Sequence, residues 1–209
     1  MEDVLDQYEK PYDATRPLVC MDEASRQLLG ESRTPFVAAD GVIHTDYEYV
    51  RHGEQKIFLA TEPLGKWRTT RATDHRTAID WAHFVKEKII DHYPEAEKIV
   101  LVMDNLNTHK LASFYEAYPA EQARAYAARL EVHYTPKHGS WLDMAEIELS
   151  VLQNQCLRKR RIATKQQLQA AIQAWTDERN NRQSGVKWQF TTKKARTKLL
   201  RLYPMVIEG

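Results

Sequence analysis

IVLVMDNLNTHK, residues 99–110, is the stretch on which the reading of the fold turns. An unbroken apolar run, rich in β-branched residues, ends at Met103 and meets Asp104. A run this short and this apolar is a strand buried on both faces. Asn105, Asn107, Thr108 and His109 follow at once. The strand therefore carries a carboxylate to the edge of the sheet, where the chain turns polar.

A second run has the same form. Leu18-Val19-Cys20-Met21 ends in Asp22-Glu23 and reads as a buried strand that stops at its carboxylates. Residues 30–46 hold Gly30, Pro35 and Gly41 among polar residues and read as a loop. Residues 47–50 and 56–62 are rich in β-formers, and Arg51-His52-Gly53-Glu54 between them reads as a hairpin turn. Pro63-Leu64-Gly65 turns the chain into a further strand, residues 66–72. Asp74 is the expected N-cap of a helix in which Ala78, Trp81, Ala82, Val85 and Ile89 recur at helical spacing until Pro94. A helix at 120–130 and a strand at 131–135 follow. Ser140 opens another helix, with Leu142, Ala145, Leu149, Leu152 and Cys156 in a stripe. The helix at 164–181 turns Leu168, Ala171, Ile172 and Trp175 inward. The order predicts an α/β fold: an antiparallel three-strand meander plus parallel strands in one mixed sheet, with helices on both faces. In such sheets the carboxyl ends of the strands gather polar residues into one crevice.

Composition sets the bounds. A 209-residue chain with 43% apolar residues can bury one sizeable core. The expected division is a lead-in segment at 1–17, a core at 18–157 and a basic helical extension at 158–209. No apolar run is long enough to span a membrane, and the polar start MEDVLDQYEKPYD is not a secretory signal. Cys20 and Cys156 lack metal-ligand spacing and read as reduced core thiols of a cytosolic protein. The net charge of +1 hides an asymmetry. Residues 151–209 carry 13 lysines and arginines against 3 acids, and the remainder 17 against 26. An acidic body with a basic tail fits nucleic acid better than a small substrate.

If the first strand and the strand at 99–103 are neighbours, Asp22 and Asp104 face each other. Two bare carboxylates so placed repel unless a cation lies between them. Oxygen ligands of this kind suit Mg²⁺ or Mn²⁺. A third carboxylate would complete a two-metal site for in-line attack at phosphorus. The helix after Ser140 offers Asp143, Glu146 and Glu148. Glu146 and Glu148 border the apolar stripe on opposite sides, and periodicity does not choose between them.

CMDEASRQLLGE, IVLVMDNLNTHK and above all HYTPKHGSWLDMAEIELSVLQNQCL resemble the catalytic core of a bacterial insertion-sequence transposase. The branch is the insertion sequence 630 family, in the mariner-like group of the DDE superfamily. YEYVR, EPL, WQFTT and RLYP extend the likeness over nearly the whole chain. The resemblance implies a ribonuclease H-like fold and a triad of two aspartates and a glutamate holding two Mg²⁺, for which Mn²⁺ can substitute. Matched motif to motif, the triad is Asp22, Asp104 and Glu146, and Glu148 becomes an ordinary helix-edge glutamate. The family usually has Asn where this chain has Asp143. The helix-turn-helix region that normally precedes the core has no counterpart in the short segment before residue 18.

The implied chemistry is cleavage of DNA at transposon ends and transfer of the freed 3′-hydroxyl into target DNA. Two other readings keep the sequence features: an endonuclease without strand transfer, and a non-catalytic DNA-binding fragment that modulates a transposase. DNA is the expected partner, with a homodimer as the expected assembly, and the nucleoid of the bacterial cytoplasm the place of action. Asn105, Asn107 and His109 are placed to support Asp104, its metal or a phosphate. Lys137, His138 and Trp141 suit a DNA strand end, with charge for phosphate and an indole for a splayed base. Trp141 serves equally as the first core residue of its helix, with Ser140 as the cap. Arg158, Lys159, Arg160, Arg161, Lys193 and Lys194 are expected on phosphates, where they read no sequence.

Overall fold

The computed structural model describes residues 1–202 except 35, 38, 40, 42, 45, 46, 107, 108 and 138. A short helix, α1 (Glu2–Tyr8), leads into β1 (Leu18–Glu31). β2 (Phe36–Val37) and β3 (Ile43–His44) form a small ribbon. β4 (Tyr49–Glu62), β5 (Trp67–Thr73), α2 (Ala78–Phe84), β6 (Ile99–Met103), α3 (Ser113–Ala117), α4 (Ala120–Ala128) and β7 (Leu130–Tyr134) follow. α5 (Met144–Leu152), α6 (Lys165–Asn181) and α7 (Thr192–Lys198) complete the chain. The main sheet has the order β5-β4-β1-β6-β7. β5, β4 and β1 are antiparallel, while β1, β6 and β7 are parallel. This is a ribonuclease H-like sheet.

Side-chain alternation along the strands splits the core in two. Cys20, Leu59 and Val102 point to the side covered by α1, α5, α6 and α7. Val19, Met21, Phe58, Leu101 and Met103 point to the side covered by α2, α3 and α4. Every residue of β6 is buried, as a central parallel strand requires.

Several boundaries differ from the sequence reading. β1 does not stop at Asp22 but continues to Glu31, paired with β4 throughout. Residues 51–54 do not form a hairpin turn. They lie inside β4, where the register slips opposite Gln27 and Leu29 as a β-bulge. Gly53, at φ +90°, allows the bulge, because the left-handed region is open to glycine. Thr77, not Asp74, caps α2, in a reciprocal capping box with Asp80. Asp74 instead accepts from Gln55 and Lys165. After Phe84 the α2 ladder loosens into a π-turn at Val85–Ile89. Ser140 opens a 3₁₀ turn, and Asp143 is the cap of α5.

Candidate active site

The parallel pairing of β1 with β6 fixes the site. Cys20 pairs with Val102, so two residues further Asp22 stands beside Asp104. β6 ends at Met103, and Asp104 lies just beyond it. β1 runs on, so Asp22 is held mid-strand opposite Leu59. Asp22 has the parity of Cys20 and faces α5, where Glu146 occupies the first turn. Asp22 and Glu146 together line a cavity of about 430 Å³. Asp104, Asn105 and Lys137 line a second cavity of about 370 Å³.

Burial, and after it the charges of Glu23, Asp104 and Glu146, push the Asp22 carboxyl up to about 7. Carboxylates so placed, with oxygen as the only donor atom, fit a hard divalent cation. Asp104 gives one oxygen to His109, whose Nδ1 lies 2.6 Å from Oδ1. His109 is buried, neither a surface residue nor open to a phosphate. Its other nitrogen lies 3.0 Å from Glu23 Oε2. Glu23, Asp104 and His109 are the group whose ligand atoms all lie within 4.8 Å of one another among the described residues. Sequence reasoning gave Glu23 no role. The signal was its place in the strand: the residue after Asp22 must point to the opposite face.

Asp143 does not point to solvent. It is 2% exposed, and one oxygen accepts from the Ala145 N–H at the head of α5. Oδ2 is buried without a partner. Burial, with the charges of Asp22, Asp104 and Glu146, holds its carboxyl well above the ordinary range. Glu148 is not a helix-edge residue. It is fully buried, bound by Arg179 at 2.8 and 3.2 Å and facing Arg68 at 3.3 Å.

The expected DNA contacts separate. Lys137 is exposed beside Asp104. Trp141 is 42% exposed and meets Phe190 edge-on. Arg158 and Lys159 are exposed just after Leu157, which lines the cavity of Asp22 and Glu146. Arg160 donates to the Cys156 carbonyl, and Arg161 to Glu31 and the Glu48 carbonyl, so both have structural partners. Arg26 pins the same segment through the carbonyls of Leu157 and Arg160. Lys193 and Lys194 lie on α7, which packs against α1, and line neither cavity. Asn107 and His138 lie outside the described residues.

Residues 17–169 match the family model described as DDE superfamily endonuclease. The chain belongs to the DDE superfamily endonucleases. Among proteins of curated function none matches the sequence. Solved structures show the fold. The Mos1 transposase paired-end complex with the left transposon end superposes with a TM-score of 0.56 at 13% identity, over 87% of this chain and 55% of that one. A pre-cleavage Mos1 transpososome gives 0.52 at 12% identity, over 90% and 61%. A mariner Mos1 paired-end complex with Mg gives 0.51 at 12%, over 89% and 61%. This DDE endonuclease chain thus spans little more than half the length of those proteins. No helix among its described residues is long and apolar enough to cross a membrane.

Proposed function

We propose that this chain is the catalytic domain of a mariner-like DDE transposase of the insertion sequence 630 branch, acting on DNA as a homodimer at the bacterial nucleoid. The observation that supports the reading is that Asp22 and Glu146 line one cavity while Asp104 ends the neighbouring parallel strand, near enough for its charge to act on Asp22. These three carboxylates would hold two Mg²⁺, or Mn²⁺ in their place. Bound there, the ions supply Lewis acidity toward a phosphodiester and its attacking oxygen.

The chain's own residues do the positioning. β1 fixes Asp22, and the first turn of α5 presents Glu146 on the same face. Lys137, Arg158 and Lys159 offer charge to the backbone phosphates. The exposed indole of Trp141 offers a stacking surface to an unpaired base. In cleavage, water oxygen bonds to phosphorus and the bond to the 3′ oxygen breaks, which leaves a 3′-hydroxyl. In joining, that 3′ oxygen attacks a target phosphorus and displaces the target's own 3′ oxygen.

The test uses the full chain with Mn²⁺, supercoiled plasmid and an oligonucleotide with a free 3′-hydroxyl. Nicking and joined product are expected. Asp22→Asn, Asp104→Asn and Glu146→Gln should each lower both by about 10³-fold, the equivalent of several kcal/mol of lost charge stabilisation. Nicking without joining reduces the reading to an endonuclease. Unchanged activity in Asp104→Asn removes the triad.

A further inference from the structure

Asp22 and Asp104 are held in different ways. Asp22 sits within a strand that pairs with β4 on both sides of it. Asp104 follows the last residue of β6 and has no ladder of its own. Something else must fix its side chain. We propose that Glu23 is a positioning residue for Asp104, acting through the buried ring of His109. The proposal rests on the reading of Asp104 as a metal ligand.

The geometry is a line of three groups. Glu23 leaves β1 on the face opposite Asp22, and its side chain is 2% exposed. A buried carboxylate is costly unless it is paired. One oxygen faces the Arg76 guanidinium at 3.4 Å, and the other lies 3.0 Å from His109 Nε2. His109 Nδ1 then reaches Asp104 Oδ1 at 2.6 Å. With an acceptor at each nitrogen, the ring serves both contacts only when both nitrogens carry hydrogens. Glu23 Oε2 is buried with no aligned hydrogen-bond donor, and the group it faces at ion-pair distance is His109.

The ring has little freedom to move. The Trp81 indole lies nearly parallel to it, with centroids 6.1 Å apart and planes at 25°. The His109 N–H donates to the Leu106 carbonyl, and the Tyr134 hydroxyl donates to the His109 carbonyl. Glu23 therefore sets the ring, and the ring sets one oxygen of Asp104. The same three groups could instead grip a cation directly. That arrangement needs a nitrogen lone pair on His109, and both nitrogens already face carboxylates. Hydrogen-bond partners of metal ligands usually contribute 10–100-fold in metal affinity.

The test is calorimetric titration of the metal-free full chain with Mn²⁺, alongside thermal unfolding of each variant. Asp104→Asn should lose measurable binding. Glu23→Gln and His109→Gln should each weaken binding about 10-fold. The double variant should be no weaker than either alone, because both remove one brace. Glu23→Asp should recover part of the affinity, since it keeps the charge, whereas Gln keeps the shape; a packing role would give the reverse order. Wild-type affinity in Glu23→Gln with loss in Asp104→Asn overturns the positioning role and leaves the metal reading standing. Loss in Glu23→Gln as complete as in Asp104→Asn makes Glu23 a ligand and also overturns it. Full binding in Asp104→Asn overturns the metal reading itself. If the buried variants unfold, Arg76→Gln on an exposed side chain serves instead: a smaller drop supports the brace, and unchanged affinity counts against it.

Discussion

The two faces of the sheet stabilise the same site by opposite means. On one face α5 and α6 are locked by a buried ionic cluster: Glu148 lies between Arg68 and Arg179, and Arg68 also donates to the Asn180 side chain and the Ser184 carbonyl. On the other, the residues behind the acids are aromatic, with Trp81 between His109 and Phe114. Asp22 and Glu23, adjacent in β1, point one to each face. The contrast teaches that α5 is held by charges that fail together if one is lost, whereas the wall behind the His109 ring is aromatic packing around Trp81, where a substitution costs volume and not a stranded charge.

Removing one member of the ionic cluster tests that contrast most severely. Glu148→Ala leaves Arg68 buried without its counter-charge and should cost about 3–5 kcal/mol in urea unfolding. Replacing Arg68 by Met in the same chain should recover part of the loss. Glu146, two residues earlier on the same helix, is exposed. Glu146→Ala should change stability by less than about 0.5 kcal/mol. Equal losses for the two glutamates would break the comparison.

The aromatic face should prove more forgiving. Trp81 is fully buried, yet its indole N–H has no hydrogen-bond partner. Trp81→Phe loses volume but leaves no polar group stranded, so it should cost about 1.5 kcal/mol. A loss as large as that of Glu148→Ala would mean that the two faces do not differ in kind.

The same contrast explains what could be read from the sequence. β6 and Asp104 were legible because a central parallel strand is apolar on both faces and marks its own end. The antiparallel order of β1, β4 and β5 was legible for similar reasons. The outer half of β1 was not, because its partner in β4 is solvent-exposed and the residues carry no apolar pattern. Gly53 reads as a turn or a bulge with equal ease, and only the register decides. Glu23 and Glu148 were missed because a buried charge depends on partners far along the chain. His109 is 86 residues from Glu23, and Arg68 is 80 from Glu148. The resemblance selected Glu146 over Glu148, and the geometry adds the physical reason: Glu148 is already occupied.

The smallest effect concerns a ring on the edge of the sheet. His92 stacks on Trp67, with centroids 4.0 Å apart and planes at 10°. Burial pulls its imidazole below the ordinary 6.5. The unfolded chain therefore binds a proton at that ring before the folded chain does. Stability contributed by the neutral ring is full above about pH 6.5 and falls as the solution becomes more acidic. His92→Phe keeps an aromatic stack and removes the titration. Its melting temperature should fall less than that of the wild type between pH 8 and pH 5.5, by an amount small beside the losses above. Because every other titrating group is shared, the difference between the two curves reports this ring alone. Parallel curves would show that the stack bears the same free energy in both protonation states, and that packing on this edge is indifferent to charge.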